Sequence, residues 1–302
     1  MITRNLQADL LMVLVTLLAA MGWVFSHEAL QTLPPMGFIG VRFLLAGLLV
    51  SAAGWQQVRG LAPSAWRRAV ATGAVMGVAM LCWILGLFHA THLGVGAFIT
   101  SLGVVLVPVV GWLFFRLTPT ASTWVAVLVA SLGMGCLSLQ GGFHFTPSDA
   151  FFVASAVMLA VHFNLNSRYV VSIPPVALTG IQLSVVGLIA LVVSSLLESW
   201  RFAPGWDAIG WLMASVLIAT SLRFFLQIKA QGMASASHAA IILTLEPVWT
   251  AIVGMIWLGE RMGTLQVVGC SLIFLALLIN RWRWLLQRPK PAAERAAQSS
   301  RV

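Results

Sequence analysis

A single carboxylate interrupts the stretch AAIILTLEPVWTAIVGMIWLGER at residues 239–261: Glu246, set directly before Pro247. An acid at hydrocarbon depth is costly unless it is paired, protonated or facing water. Counted from a helix start near 237, it lies about nine residues, roughly 14 Å, into the segment at 1.5 Å per residue. Pro247 frees a backbone carbonyl one turn earlier and favours a kink. Two chemistries fit. Either Glu246 faces a central cavity and binds a cationic group or a proton, or it braces a broken helix against a buried arginine.

Two arginines also fall inside apolar segments. Arg42, in PPMGFIGVRFLLAG, stands about two turns below the outer end of its segment. It snorkels to the interface, or it pairs with a buried acid or a substrate carboxylate. Arg223, in TSLRFFLQ, stands near the inner end of its segment and is expected to reach the headgroups. His27, His89 and His92 cluster near outer ends, while His162 and His238 lie inside later segments. Imidazoles titrate near neutral pH and suit proton coupling, but no HExxH or related spacing occurs, so no metal site is expected. His162 and Asn166, four residues apart, share a helix face that Asn164 does not. A polar face on an apolar helix must look at protein or water, and a cavity is the expectation here. Of thirteen tryptophans, those near segment ends read as interfacial anchors. Trp23, Trp83 and Trp249 lie deeper, as candidate walls of an apolar or cation-binding cavity.

The elements that must position these residues follow from composition. Of 302 residues, 60% are hydrophobic and 8% charged, against roughly 25% charged in soluble domains. The mean hydropathy is +0.97. This chain is built for a bilayer. Its net charge of +9 is scattered between apolar runs rather than gathered in a patch, which argues against nucleic acid. Cys82, Cys136 and Cys270 sit inside apolar segments and read as small core hydrophobes. With about 20 residues per crossing, ten helices are expected, near 9–27, 35–56, 69–89, 92–115, 121–139, 149–168, 174–196, 206–228, 237–257 and 264–282. Lys and Arg then collect on one side, at Arg4, Arg59, Arg67, Arg68, Arg116, Arg168, Lys229 and the tail from Arg281. Both termini are therefore placed in the cytoplasm.

A repeat is visible at a shift of 139 residues, where AFITSLGVVLVPVVG aligns with ASHAAIILTLEPVWT and Pro108 with Pro247. Five crossings per unit is odd, so the halves point in opposite directions, which is the inverted-repeat plan with a site near midplane. The expected fold is thus all-α and polytopic: a first five-helix repeat over 1–139, a second, inverted repeat over 140–284, and a basic tail over 285–302. Val107 stands where the second half has Glu246, so the halves are chemically unlike at that point. A GxxxG, GAVMG at 73–77, supports close helix contact.

The stretch LRFFLQIKAQGMASASHAAIILTLEPVWTAIVGMIWLGER (222–261), with AAMGWVFSHEAL and PPMGFIGVRFLLAG in the first two segments, resembles the EamA-type branch of the drug/metabolite transporter superfamily. The resemblance spans about residues 9–282. It implies ten helices in two inverted repeats around an alternately open cavity, in bacterial inner-membrane exporters of amino acids and other metabolites that work without ATP. Carried onto this chain, it gives Glu246 and Pro247 the LEP positions, Glu260 the trailing LGE, and Arg42 the arginine of the second helix. It favours Trp23, His27, Trp83, His162, Asn166 and Trp249 as cavity residues, and Pro108, Pro247 and Glu260 as structural or hinge positions. Two departures stand out: FFRLTPTAS lacks the trailing acid in the first half, and His27 stands where a lysine or small residue is common.

The expected function is secondary export of a small organic metabolite, driven by proton exchange or the substrate's own gradient; import of a related solute is the alternative. No cofactor and no catalytic residues are expected. The oligomeric state, monomer or homodimer, is open. A sensor would want a soluble domain, an enzyme a nucleophile and base on facing helices, and a channel a filter ring; none is visible.

Overall fold

The computed structural model describes residues 2–88, 93–138, 147–199, 205–258 and 263–286. The elements are α1 (Ile2–Leu30), α2 (Pro35–Ala53), a short α3 (Trp55–Arg59), α4 (Pro63–Phe88), α5 (Leu93–Phe115), α6 (Ala121–Ser138), α7 (Pro147–Tyr169), α8 (Pro175–Leu197), α9 (Trp206–Ala214), a π-helical stretch Ser215–Leu222, α10 (Arg223–Gln231), α11 (Ala236–Leu243), α12 (Glu246–Leu258) and α13 (Thr264–Leu286). Among the described residues, six helices are long and apolar enough to cross a membrane: Leu6–Leu30, Pro35–Ala53, Pro63–Gly86, Asp149–Tyr169, Pro175–Leu197 and Trp206–Gln231. Three shorter apolar helices accompany them, Leu102–Phe115, Ala121–Cys136 and Val267–Ile279. The outward faces are apolar, with Leu128, Leu132, Leu188, Val192 and Leu196 all more than half exposed. No water-facing surface carries such a continuous apolar coat, whereas lipid requires one.

Proline marks where helices begin. α2, α4, α7 and α8 each open on one, where the missing N–H would have no intrahelical partner and the fixed φ suits the first turn. The start of α2 has a further device. The Glu198 carboxylate, just past the end of α8, accepts from the Met36 and Gly37 backbone N–H groups, both at 2.8 Å. Ser194 Oγ donates to the same carboxylate at 2.7 Å. A negative group on exposed helix N–H donors is favourable in both hydrogen bonding and dipole. Glu198→Gln should therefore lower stability by about 1 kcal/mol, read as a shift in the unfolding midpoint in detergent; an unchanged midpoint would show that the cap carries no weight.

The bundle is built on pairs: α2 with α8, α6 with α13, α5 with α7, and α4 with both α7 and α8. At the α2–α8 contact glycines face backbone on both sides. A Cβ on Gly47 would overlap the Ser184 backbone nitrogen, and one on Gly187 would overlap the Leu44 backbone nitrogen. The GxxxG on α4 packs on α8 in the same way, with a Cβ on Gly73 falling 2.9 Å from Gln182 Cα and one on Gly77 falling 2.8 Å from Ile189 Cδ1. Small residues at crossings let dispersion act between backbones, the main attraction left when lipid already matches the side chains in polarity.

Two helical elements are irregular. Between α9 and α10, eight residues adopt π geometry, with Thr220 Oγ1 donating to the Ser215 carbonyl at 2.9 Å and Ser221 Oγ to the Val216 carbonyl at 2.8 Å. Between α11 and α12 the helix stops at Leu243 and restarts at Glu246, through tight turns from Thr244 N to Ile241 O and from Leu245 N to Ile242 O, both 3.1 Å. Pro247, second in α12, lacks the N–H that would have continued the ladder. Pro108 does not have this effect: α5 runs through it from Leu93 to Phe115.

Candidate functional site

Glu246 opens α12, where the helix N-terminus favours an acid. Its Oε2 accepts from Arg223 Nη2 at 3.4 Å, with the two side chains 28% and 18% exposed. The sequence placed Arg223 among headgroups from its position near the inner end of its segment; the structure instead turns it inward onto Glu246, directly after the π stretch. Its guanidinium lies 4.5 Å over the Phe224 ring. That ring meets Phe43 at 5.8 Å between centroids, and Phe43 in turn lies 5.7 Å under Arg42. A buried aromatic pair thus separates two cations, one paired and one not.

Arg42 is held across three elements. Its Nε donates to Thr220 Oγ1 in the π stretch, Nη1 to Ser26 Oγ on α1 at 2.8 Å, and Nη2 to the Ala219 carbonyl at 3.5 Å. Phe38 covers it at 5.7 Å. Among the described residues no carboxylate reaches it. The arrangement is a bolt joining α1, α2 and the π stretch, with a positive charge left over.

His162 and Asn166 do share one face, as their spacing predicts, and both meet Gln182 of α8. His162 Nε2 lies 2.9 Å from Gln182 Oε1 and 3.1 Å from Asn166 Nδ2, while Gln182 Nε2 donates to Asn166 Oδ1 at 2.7 Å. All three residues are at most 3% exposed. However the two amides are turned, their mutual contact joins an oxygen to an N–H, so His162 Nε2 always faces one amide oxygen and one amide NH2. It can donate to the first or accept from the second, never both, and the two ring tautomers divide these bonds between them. Asn164, on another face, is also buried: its Nδ2 donates to the Val107 and Ala160 carbonyls, both at 2.9 Å, tying α7 to α5 one residue before Pro108.

The remaining sequence candidates fall elsewhere. Trp83 packs on the cluster of Ala29, Leu33, Met36 and Phe38, and Trp249 on that of Met12, Val15, Val107 and Phe163. Trp249 stands one turn beyond Glu246, and its buried Nε1 has no partner among the described residues. The helix backbone at Trp23, His27 and Pro247 is described, but their side chains are not, and Glu260 lies outside the described residues. Sequence reasoning passed over Gln182, Ser26 and Thr220, and also Asp9, whose Oδ1 lies 2.8 Å from His238 Nε2. Among the described residues no three His, Cys, Asp or Glu side chains gather as a metal site would require.

A signal for some of these was present. PPMGFIGVRFLLAG at 34–47 and PPVALTGIQLSVVG at 174–187 share two prolines and two glycines at a shift of 140 residues. That shift carries Arg42 onto Gln182 and Ser26 onto Asn166, so the Arg42–Ser26 and Gln182–Asn166 contacts occupy equivalent places.

Comparison with known proteins identifies what carries this geometry. The family model described as "EamA-like transporter family" matches twice, at residues 6–139 and 146–282. The chain belongs to the EamA-like transporter family. This EamA-like chain is 27% identical over 278 residues to an uncharacterized transporter of Archaeoglobus fulgidus, covering 91% of this chain and 86% of that one. It is 24% identical over 280 residues to the uncharacterized transporter YwfM of Bacillus subtilis, covering 88% and 92%. A solved crystal structure only 15% identical superposes with a TM-score of 0.80 over 93% of this chain and 99% of its own, which shows the fold alone. The EamA-like protein is a multi-pass membrane protein, and its family and relatives are named as transporters rather than enzymes.

Proposed function

We propose that the protein is a secondary active transporter that exports a small organic metabolite, an amino acid, an amine or a related compound, across the bacterial inner membrane by alternating access. In this reading α1, α2, α4, α5 and α6 form the first repeat, within 1–139. The elements α7, α8, α9 with α10, α11 with α12, and α13 form an inverted second repeat within 140–284, and both termini and the tail from 285 are cytoplasmic. The basic loops support the orientation, and the doubled family match supports two units of one plan.

The observation that carries the proposal is the pair of equivalent bridges. Arg42 lies seven residues in from Pro35 and Gln182 seven in from Pro175, each about 10 Å from its helix start. In inverted halves those starts face opposite sides of the membrane. One bridge therefore sits on the outer side of the Arg223–Glu246 pair and the other on the inner side, each tying the first two helices of its own repeat. Releasing one while keeping the other opens the centre to one side at a time, as alternating access requires.

Single cysteines at Ser26 and Asn166, in a background where Cys82, Cys136 and Cys270 are replaced, test this with a membrane-impermeant thiol reagent. Conditions that raise labelling of Ser26→Cys from outside should lower labelling of Asn166→Cys from inside. Simultaneous labelling of both would describe an open pore and end the alternating-access reading.

A further inference from the structure

At the end of the bundle where α4 and α8 begin, five cations border one apolar cluster. Val58 of α3, Ala69 of α4, Val170 just past α7 and Ile228 of α10 are buried together there. Within two residues of each stands an exposed basic residue: Arg59 beside Val58, Arg67 and Arg68 before Ala69, Arg168 before Val170, and Lys229 after Ile228. Aromatic rings stand among the charges. The Arg59 guanidinium lies 5.6 Å over Trp55, that of Arg68 5.8 Å over Tyr169, and the Lys229 ammonium 6.0 Å over Phe225. Trp66 Nε1 donates to the Val58 carbonyl at 3.3 Å, which pins α3 to α4. Trp55 and Trp66 are themselves exposed, as aromatic side chains at headgroup level are.

No acid neutralises these five: the ion pairs among the described residues are Arg223–Glu246 and Asp9–His238. Nor does the fold require the charges. The shift of 140 residues carries Arg67 onto Asp207, Arg168 onto Glu28, Arg59 onto Ser199 and Arg68 onto Ala208, while Trp66 falls on Trp206. The equivalent corner therefore keeps the tryptophan and reverses the charge. Orientation in the membrane is served by basic residues in any loop on one side, as Arg116 between α5 and α6 serves it. Gathering five of them around one apolar plug adds mutual repulsion, which a counter-anion seated among them relieves. Next to the charges the surface turns apolar, with Leu49 of α2 and Val70 of α4 exposed. A free anion has no use for that surface, whereas an acyl chain does.

We propose that this basic collar binds the phosphodiester headgroup of an anionic phospholipid, of the phosphatidylglycerol or cardiolipin type. The inference goes beyond the transport reading and does not depend on it. Basic pockets between membrane helices suit such headgroups, and a guanidinium meets phosphate through two parallel N–H groups. Lying over a ring occupies the face of Arg59 and Arg68 and leaves that N–H edge available. A zwitterionic headgroup carries its own ammonium and gains less from the collar. The bound lipid joins α3 and α4 of one family-matched half to α7 and α10 of the other, so it also stabilises the folded bundle.

The test uses the full chain in a neutral detergent, read by native mass spectrometry and by the unfolding midpoint. The probes are phosphatidylglycerol, cardiolipin, phosphatidylcholine and glycerol 1-phosphate. The two anionic lipids should stay on the protein and raise the midpoint, binding about tenfold more tightly than phosphatidylcholine. Glycerol 1-phosphate, with the charge and no chains, should do neither. Arg59→Gln and Arg68→Gln, both at exposed positions, should unfold like the wild type without lipid. Each should weaken phosphatidylglycerol binding about fivefold, and the double variant about twentyfold or more. Arg116→Gln, a cation on the same side outside the collar, should leave binding unchanged. Phosphatidylcholine held as tightly as phosphatidylglycerol, or unchanged binding in the double variant, overturns the proposal. Arg116→Gln weakening binding as much as Arg68→Gln does so too, since the attraction is then diffuse charge. Glycerol 1-phosphate raising the midpoint as far as the lipids makes the collar a site for free phosphate and likewise ends the lipid assignment.

Discussion

Glu246→Gln is expected to destabilise the protein and to abolish transport together, and Arg223→Met to do the same. Each substitution leaves one charge of a pair in a largely dry setting. Breaking a fully buried pair costs about 3–5 kcal/mol; with side chains 18% and 28% exposed, about 2–3 kcal/mol is the expectation here. The double variant Arg223→Met/Glu246→Met removes both charges and should return close to wild-type stability, giving a coupling free energy of about 2 kcal/mol or more in the double-mutant cycle. Transport should not return with it, because in the proposed cycle this pair stands at the centre between the two bridges. Unfolding midpoints in detergent and counterflow in liposomes read the two effects separately. A stable double variant that transports normally would reduce the pair to architecture, a brace across the α11–α12 break.

The second large effect lies away from the polar groups. Gly47→Ala and Gly187→Ala each place a methyl group where the partner helix has backbone nitrogen, of Ser184 and Leu44 respectively. Backbone in a packed helix cannot step aside as a flexible side chain can, so α2 and α8 must separate along their length. A loss of about 3 kcal/mol or more is expected for each, at the upper end for overpacking. Ser184→Gly should not rescue Gly47→Ala, because the obstruction includes backbone and not the hydroxyl alone. Gly210→Ala is the control: nothing lies within 4 Å of its added Cβ, and it should be neutral or slightly stabilising through the unfolded chain. Equal midpoints for Gly47→Ala and Gly210→Ala would show that the α2–α8 contact is looser than described.

These two results also probe how the polar groups are held. The α2–α8 contact fixes Arg42 and Gln182, one on each helix, relative to the helices they bind. A variant that spreads this contact should weaken both bridges, even though neither glycine belongs to one.

The sequence by itself determined that the chain is apolar helix nearly throughout, where most helices start, and that Glu246 and Arg42 lie in apolar surroundings. It also determined that His162 and Asn166 share a face. These are local matters. In a bilayer every backbone group must be satisfied within its own helix, so hydropathy and proline positions decide the elements, and a spacing of four decides a shared face. Partners were a different matter. Arg223, directly after the π stretch, reaches Glu246 on another helix, and no residue between Ser215 and Leu222 announces that geometry. Pro108 and Pro247 are equivalent in the aligned sequence, yet α5 stays whole and the other helix breaks. The trio of His162, Asn166 and Gln182 needed the third member from another helix, α8, which α4 approaches closely at Gln182 because Gly73 there has no side chain. Which polar groups meet is thus decided by how closely particular helices can approach, a property of the folded bundle that no single segment contains.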